Sequence, residues 1–423
     1  MKVIINKKDP ESKDYKKPFE REPVPKTFNS KSEEAKWWET EFKRWHNGHN
    51  GLTASHYFLL SQCLIKKPNN KREYGDWRDW DAILHEAYMA AKKKQEDLFV
   101  FKRRRFALST VFGGSEPIRI ALTNPGAICG LTSCDVQRGK QMVKEKLEVA
   151  FYGLSSQINL SRLTAQELNG IKKDNGISEH LQFRKATGSR DGSSIRIEFL
   201  EDLNPTGDVS EIMYKQTSRK EDDSTAFEGG TLNYIFLDEF FLHPFANKVR
   251  SSSESCMLDG FEKVGMFVAG GSCGAMSTQG IQNAIKVIED SKDHGSRTAV
   301  LFLPGFACID KAPVFDKEGN IIHGKSLSFM KNGISQEAEA TEWILKNREI
   351  LKKSSDPTKL RQFIKAYPLT LEELLEASSE GLISSDIADL FPKQENNILN
   401  QREKAFLPHR VIWNQGVPEL KSY

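Results

Sequence analysis

The segment Leu232–Pro244, LNYIFLDEFFLHP, is the feature that most constrains the fold of this chain. It is a nearly continuous apolar run interrupted by two adjacent acids, Asp238 and Glu239. Such a run is typical of a strand that is buried on both faces. Similar apolar runs lie at 127–133 and 264–274, and segments of helical periodicity separate them. Strands that alternate with helices predict an α/β fold with a mostly parallel sheet covered by helices on both faces.

The domain organisation is predicted from changes in composition along the chain. Residues 1–32 are rich in Lys, Glu and Pro and are expected to form a flexible charged arm. A helical N-terminal subdomain is predicted for 33–94, and the α/β core for 95–290. Residues 291–423 become more polar and helical, which predicts a C-terminal lid or linker subdomain.

Composition excludes several classes of protein. No apolar run approaches the ~20 residues of a membrane span, so we expect no contact with a membrane. The six cysteines have no C-x-x-C pair and no metal-binding spacing with histidine. The net charge of +3 is close to neutral, so any binding to nucleic acid must come from local basic patches.

The acidic pair has a chemical interpretation. A carboxylate at the tip of a buried strand, here Asp238, is suited to hold the coordination shell of a Mg²⁺ ion. A second carboxylate beside it, Glu239, is suited to polarise an attacking water. This pattern is typical of one half of a nucleoside-triphosphate hydrolysis site. The alternative is an ordinary buried strand that ends in solvated acids.

A second candidate site precedes this strand by about 130 residues, in the stretch FVFKRRRFALSTVFGG at 99–114. An apolar strand end runs into a basic turn, as in a phosphate-binding loop, but Ala107 and Leu108 replace the usual Gly and Lys before Ser109. Ser109 is predicted to ligate Mg²⁺, and backbone amides of the loop from Ala107 to Thr110 to receive phosphates.

The loop has no lysine at its usual place, because Leu108 carries no charge. Basic side chains at the start of the same turn are therefore predicted to neutralise the phosphates: Lys102, Arg103, Arg104 and Arg105. The alternative is that these four residues contact only DNA or solvent. A third feature is Ser272, in the AGGSCG segment that ends the run at 264–274, where its hydroxyl is predicted to sense the γ-phosphate.

The order of these motifs resembles that of the large terminase subunit of tailed bacteriophages, the ATPase that packages viral DNA. KRRRFALS is similar to the family's deviant phosphate loop, FEGGTLNYIFLDEF at 227–240 to its hydrolysis strand, and AGGSCG to its coupling motif. FIKAYPLTLEELLEAS at 363–378 is similar to the segment that follows the ATPase core. GLTASHYFLLSQ lies where the adenine-binding segment would be, so Tyr57 or Gln62 is expected to contact the base.

The resemblance, which covers roughly residues 35–380, implies a RecA-like P-loop ATPase core of the ASCE class that uses ATP and Mg²⁺. It implies translocation of double-stranded DNA into a viral procapsid, with Arg104 stabilising γ-phosphate charge and Ser272 coupling hydrolysis to movement. The implied partners are the portal protein and the small terminase subunit, in a homo-oligomeric ring on the portal in the cytoplasm of the infected bacterial host.

One departure from the family concerns the nuclease. Large terminases continue into an RNase H-like nuclease that needs a cluster of acids, and this chain has no Asp after Asp389, so no nuclease activity is expected from it. Two other functions stay open: a superfamily-2-like DNA helicase or translocase, and a non-hydrolysing structural protein that binds nucleotide or DNA. Ala107 and Leu108 favour the latter, whereas the intact acidic pair argues against it.

Overall fold

A computed structural model describes residues 16–422, except 68, 105, 164–166, 168–179, 187–193, 202, 219, 273–277, 294, 355, 379–408 and 415–416. The first fifteen residues of the predicted arm thus lie outside the described part. The chain divides into two compact units, residues 1–378 and 379–423. In the described part, no helix is both long and apolar enough to cross a membrane.

The N-terminal part of the first unit is mainly helical, as its periodicity predicts. Its elements are α1 (Lys31–Asn47), α2 (Ala54–Gln62), the hairpin β1–β2 (Leu64–Lys66 and Arg72–Tyr74) and α3 (Asp79–Lys93). The side chain of Thr53 caps α2 by accepting a hydrogen bond from the His56 amide. Trp38 and Trp45 of α1 are fully buried, so this helix belongs to the core.

An eight-stranded sheet forms the centre of the first unit. Its strands in chain order are β3 (Asp97–Lys102), β4 (Ile128–Ser133), β5 (Gln182–Lys185), β6 (Ser194–Glu201), β7 (Asn204–Tyr214), β8 (Tyr234–Asp238), β11 (Met266–Gly271) and β12 (Thr298–Leu303). Between β8 and β11 the chain forms a separate hairpin, β9–β10 (Leu258–Asp259 and Glu262–Lys263). Across the sheet the order is β12-β3-β11-β8-β4-β7-β6-β5.

The first six strands in this order, from β12 to β7, pair in parallel, and β6 and β5 continue the sheet antiparallel. The predicted α/β class with a mostly parallel sheet is confirmed. Strands β3 and β8, whose tips carry the basic turn and the acids, are not neighbours, because β11 lies between them and pairs with both.

The central strands are apolar on both faces because helices cover both faces. Successive residues of β8 alternate between two apolar clusters, with Tyr234 and Phe236 in one and Ile235 and Leu237 in the other. This alternation is the two-residue period of a strand. It accounts for the uninterrupted apolar run in the sequence.

The helices that cover the sheet include two with π-helical turns. The first is continuous from α4 (Leu108–Thr110) through a π-turn (Val111–Ser115) into α5 (Glu116–Thr123). The second runs from α6 (Val136–Met142) through a π-turn (Val143–Leu147) into α7 (Glu148–Phe151), and the side chain of Asp135 caps it. The opposite face is covered by helices that include α8 (Ala246–Glu254) and α9 (Thr278–Asp290).

The core extends beyond residue 290, where the sequence predicted its end. β12 joins the sheet beside β3 and pairs in parallel with it along its whole length, from Asp97 to Lys102. The rest of the first unit contains two hairpins and three helices: β13–β14 (Ala312–Phe315 and Ile321–Leu327), β15–β16 (Met330–Lys331 and Ile334–Ser335), α10 (Glu337–Lys352), α11 (Pro357–Ala366) and α12 (Leu371–Ser378). This region is thus less helical than its composition predicted. The described residues of the second unit form one hairpin, β17–β18 (His409–Asn414 and Val417–Ser422).

Candidate functional site

The carboxyl ends of the central parallel strands bring the predicted motifs to one edge of the sheet. In the register of the sheet, Asp238 of β8 lies beside Gly270 of β11 and Ser133 of β4. Gly270 in turn lies beside Val100 of β3, two residues before Lys102. Open parallel sheets bind ligands at this edge, because polar residues can follow each buried strand there without entering the core.

Asp238 is joined to the phosphate-type loop by a hydrogen bond. The hydroxyl of Ser109 donates to Asp238 Oδ2 at 2.8 Å across a sequence separation of 129 residues. The other oxygen, Oδ1, is buried and has no hydrogen-bond partner among the described residues. Burial raises the pKa of Asp238, and the nearby charge of Lys102 opposes that rise. One carboxylate oxygen of Asp238 is therefore left for a ligand, as far as the described residues go.

Glu239 turns back over the tip of β11. Its backbone is left-handed, with φ of 56°, which is uncommon for a residue with a side chain. Its Oε2 accepts a hydrogen bond from the Ser272 amide at 3.1 Å, and the Ser272 hydroxyl donates to Oε1 at 3.4 Å. A side chain at Gly271 would place its Cβ 2.7 Å from Oε2, so the glycine makes room for the carboxylate. Ser272, which was predicted to sense the γ-phosphate, therefore contacts Glu239 in the structure.

The four basic residues of the turn have different surroundings. Lys102 is only 5% exposed, and its Nζ lies 4.0 Å from Glu239 Oε1. Arg103 is also buried, but its guanidinium donates to the carbonyls of Ala307 and Cys308, each at 2.5 Å, and so does not reach the acids. Arg104 is exposed, and Arg105 lies outside the described residues.

The position of Lys102 explains part of the electrostatics of the site. Burial raises the pKa of Glu239, the charge of Lys102 lowers it, and the charge of Asp238 raises it. The buried carboxylate of Asp238 and the half-buried carboxylate of Glu239 repel each other, and the buried ammonium of Lys102 offsets that repulsion. Of the three basic residues of the turn that the structure describes, Lys102 is thus the one that lies beside the acidic pair.

Leu108, at the position of the usual lysine, is a core residue. Its side chain is fully buried, and a Cβ added to Gly270 would lie 2.7 Å from its Cδ2. Its amide, which was predicted to receive phosphate, donates instead to the Phe106 carbonyl at 2.8 Å, and the amide of Thr110 donates to Ala107 at 3.0 Å. Leu108 therefore packs the loop helix against β11.

A cavity of about 660 Å³ adjoins the loop. Ala107, Ser109 and Thr110 contribute to one wall. The other walls come from the α2 end, the segment before α3 and the β15–β16 hairpin, and they include Leu59, Leu60, Ile65, Gly75, Trp77, Arg78, Met330, Asn332 and Gly333. A volume of this size is in the range of small-molecule sites.

The residues predicted to contact adenine are not part of this cavity wall. The hydroxyl of Tyr57 donates to Glu41 at 2.8 Å, and the Gln62 amide donates to the same carboxylate at 3.1 Å. Glu41 is buried in α1 and is also paired with Arg44 at 2.6 Å. A buried carboxylate needs such donors, so both residues are used within the N-terminal helices. Their neighbours Leu59 and Leu60 reach the cavity instead.

Three residues near the site were missed by sequence reasoning. Ser133 ends β4 beside Asp238, and its buried hydroxyl has no hydrogen-bond partner within 3.5 Å among the described residues. Arg138 of α6 lies close enough to lower the pKa values of both acids. Lys146 lines the cavity and interacts electrostatically with Asp238. Ser133 could have been found, because it is a polar residue at the end of an apolar strand, as Asp238 is.

The donor set at the strand tips fits a magnesium ion. Mg²⁺ prefers oxygen ligands and is usually held by one or two carboxylates together with waters and substrate phosphates. Ligands of this kind are the Ser109 hydroxyl and Asp238 Oδ1, which is buried and has no partner in the part of the chain that the structure describes. In the described part of the chain, no group of three or more His, Cys, Asp or Glu side chains could hold a metal. The fit is therefore to an ion that takes its remaining ligands from phosphate and water.

Comparison with known proteins gives matches only among solved structures. No family model and no curated protein matches the chain. The ATPase domain of the Thermus phage P74-26 large terminase is 12% identical, with a TM-score of 0.33, over 67% of this chain and 92% of that chain.

The large terminase of a thermophilic bacteriophage is also 12% identical, with a TM-score of 0.25 over 52% of this chain and 51% of that chain. The same terminase in complex with ATP-gamma-S is 12% identical, with a TM-score of 0.27 over 50% of this chain and 40% of that chain. The solved structures that the chain matches are thus of large terminases, at low sequence identity and low TM-score.

Proposed function

We propose that this chain binds ATP with Mg²⁺ at the strand tips and hydrolyses it. The observation that carries the proposal is the hydrogen bond from Ser109 to Asp238. It joins the phosphate-type loop to the acidic pair, two motifs that were predicted separately to form the two halves of one site. Asp238 Oδ1 is buried and has no partner among the residues that the structure describes, which supports a bound ligand at this atom.

Ser109 and Asp238 are the residues that would hold the magnesium ion. When bound, the ion neutralises phosphate charge and orients the phosphate chain. Ser133 would hydrogen-bond a water bound with the ion, because its buried hydroxyl lies at the adjacent strand tip. A buried hydroxyl without a partner is costly, which supports a role that bound solvent completes.

Glu239 is proposed to accept a proton from the attacking water. Burial raises its pKa, and a base is most effective when its pKa approaches the working pH. The two hydrogen bonds from Ser272 fix the carboxylate in its left-handed turn. These bonds also link it to the tip of β11, which supports the proposed coupling of hydrolysis to movement by Ser272. Lys102 is proposed to neutralise phosphate charge in place of the missing lysine.

We assign the base and ribose of the nucleotide to the 660 Å³ cavity beside the loop. Its apolar wall at Leu59 and Leu60 suits a planar base, and Trp77 and Arg78 add an aromatic and a cationic side chain. Tyr57 and Gln62 are not part of this proposal, because Glu41 engages both.

The biological role that we propose is that of the motor subunit of a viral DNA-packaging machine. The chain would translocate double-stranded DNA into a procapsid, as a ring on the portal protein with the small terminase subunit, in the cytoplasm of the infected host. The support is the order of the motifs from the basic turn at 102–105 to the YPLT segment at 367–370. Arg104, which is exposed, has room to contact a ligand or a neighbouring subunit, but its position gives no direct support to a catalytic role.

The test is a pair of isosteric substitutions in the acidic pair. Glu239→Gln should bind ATP and Mg²⁺ nearly as the wild type does and lose turnover by about 10²–10⁴-fold, because only the base is removed. Asp238→Asn should instead weaken nucleotide binding at limiting Mg²⁺. Both are measured by titration with a fluorescent ATP analogue and by phosphate release, with DNA and portal protein added.

Two outcomes would contradict the proposal. If Glu239→Gln retained more than half of the wild-type rate, the base would be another group. If the wild type bound ATP but released no phosphate with DNA and portal present, the chain would be a nucleotide-binding structural protein. Strand separation of a duplex by the wild type would favour the helicase alternative.

A further inference from the structure

The loop helix and the helix that follows β4 approach each other closely through two glycines. A Cβ added to Gly113 would lie 2.5 Å from Met142 Sδ, and one added to Gly114 would lie 3.4 Å from the Lys146 backbone. Both helices have a π-turn at this contact, over Val111–Ser115 and Val143–Leu147. Turns of this type are rare and are frequent at functional sites. The contact places the residues of the second π-turn beside the phosphate-type loop.

The side chain that this contact brings to the cavity is Lys146. It contributes to the cavity wall together with Ser109 and Thr110. The neighbouring Lys144, on the same π-turn, is exposed and lines a separate cleft. The π-turn therefore directs one of its two lysines to the candidate nucleotide site and the other away from it.

The ammonium of Lys146 has no hydrogen bond or ion pair among the described residues. By contrast, Lys66, which lines the same cavity, is paired with Glu145 at 2.9 Å. Burial lowers the pKa of Lys146, and the charges of Glu145 and Asp238 oppose that effect. A half-buried cation without a direct partner is costly, and an anion in the cavity would compensate its charge.

We propose that Lys146 donates to the phosphate chain of a nucleoside triphosphate bound beside Ser109 and Thr110. This proposal rests on the proposed function and deepens it. The charge that Leu108 cannot supply then comes from two sides: Lys102 at the end of β3 and Lys146 from the helix after β4. The ligand class is a nucleoside polyphosphate, because the cation adjoins the loop end of the cavity rather than its apolar wall.

The test compares Lys146→Met with Lys144→Met, a matched control on the same π-turn. Both variants of the full chain are titrated with a fluorescent ATP analogue in the presence of Mg²⁺, and with adenosine as a competitor. Lys146→Met should weaken binding of the analogue by about 10- to 100-fold, as expected for a lost charge-assisted contact. The affinity for adenosine, obtained from the competition titration, should stay unchanged. Lys144→Met should bind as the wild type does.

A second variant separates charge from packing. Lys146→Arg keeps the positive charge and should recover most of the affinity, whereas a packing defect would not be repaired by the longer side chain. If the wild type binds the analogue and Lys146→Met binds it within twofold, the inference is wrong and the proposed function stands. If Lys146→Met weakens adenosine and the analogue equally, Lys146 acts on the shape of the cavity and the inference is also overturned. If the wild type binds no nucleotide, the proposed function fails and this inference fails with it.

Discussion

Replacement of Lys102 by methionine is the sharpest test of how the site manages without the usual lysine. Lys102→Met keeps a long apolar side chain in a position that is 5% exposed, and it removes the charge that lies 4.0 Å from Glu239 Oε1. Two unit charges at that distance attract by about 4 kcal/mol at an effective dielectric constant of about 20. The variant therefore removes from the buried Asp238 and the half-buried Glu239 the positive charge that most favours their ionised forms.

Two effects should follow. The pKa of Glu239 should rise further, because the lowering influence of Lys102 is lost while burial and Asp238 continue to raise it. The acid limb of the hydrolysis rate should then move to higher pH. Binding of ATP should weaken by about 10- to 100-fold, which corresponds to a charge-assisted contact worth about 1.5–3 kcal/mol.

The assay is equilibrium titration with a fluorescent ATP analogue at pH 8, followed by phosphate release between pH 5.5 and 9. Lys93→Met, an exposed lysine at the end of α3, is the control for the loss of one positive charge. Arg104→Ala is measured in parallel, because the sequence alone favours both residues. Normal binding and an unshifted acid limb in Lys102→Met would refute the reasoning. A large loss in Arg104→Ala alone would transfer the role to that residue.

Two further predictions concern stability. Without nucleotide, Glu239→Gln should melt at a higher temperature than the wild type at pH 8. Because the pKa of Glu239 is raised in the folded state, its ionisation destabilises the wild type above the ordinary glutamate pKa of ~4.3. The advantage of the variant should therefore disappear as the pH falls to that value. Equal melting temperatures at pH 8 would contradict this. Leu108→Lys, which restores the usual loop residue, should lower the free energy of unfolding by at least about 2 kcal/mol and rescue no ATP binding in Lys102→Met, because it puts a charge where Leu108 is buried against Gly270. The loop would accept a charge at this position if urea titration showed Leu108→Lys to be as stable as the wild type and if ATP titration showed that it restores the affinity of Lys102→Met.

The central strands and their polar tips could be predicted from the sequence because their signals are local. An uninterrupted apolar run of strand length can be satisfied only by burial on both faces, and parallel strands must place their carboxyl ends at one edge. The acids Asp238 and Glu239 and the hydroxyl of Ser272 follow directly from such runs. Capping by Thr53 and Asp135 is equally local, since it depends on residues within one helical turn.

The sequence did not decide which partners the long polar side chains contact. Four consecutive basic residues are equivalent by composition, yet Lys102 faces the acids, Arg103 holds the carbonyls of Ala307 and Cys308, and Arg104 is exposed. What separates them is the partner across the fold. The carbonyls that bind Arg103 come from about 204 residues away, and no local pattern announces them.

The same reason explains why Tyr57 and Gln62 are engaged by Glu41 and why Lys146 was not predicted. A hydroxyl or an amide next to an apolar helix is equally able to contact a ligand or to satisfy a buried acid, and here the buried acid is Glu41. Lys146 belongs to a polar, lysine-rich helix in the sequence, and only the close approach at Gly114 brings it to the cavity. The sequence by itself determined which strands are buried and which polar residues end them. Tertiary packing decided which of those polar groups meet, because a side chain's partner is set by the elements packed against it rather than by its neighbours in the chain.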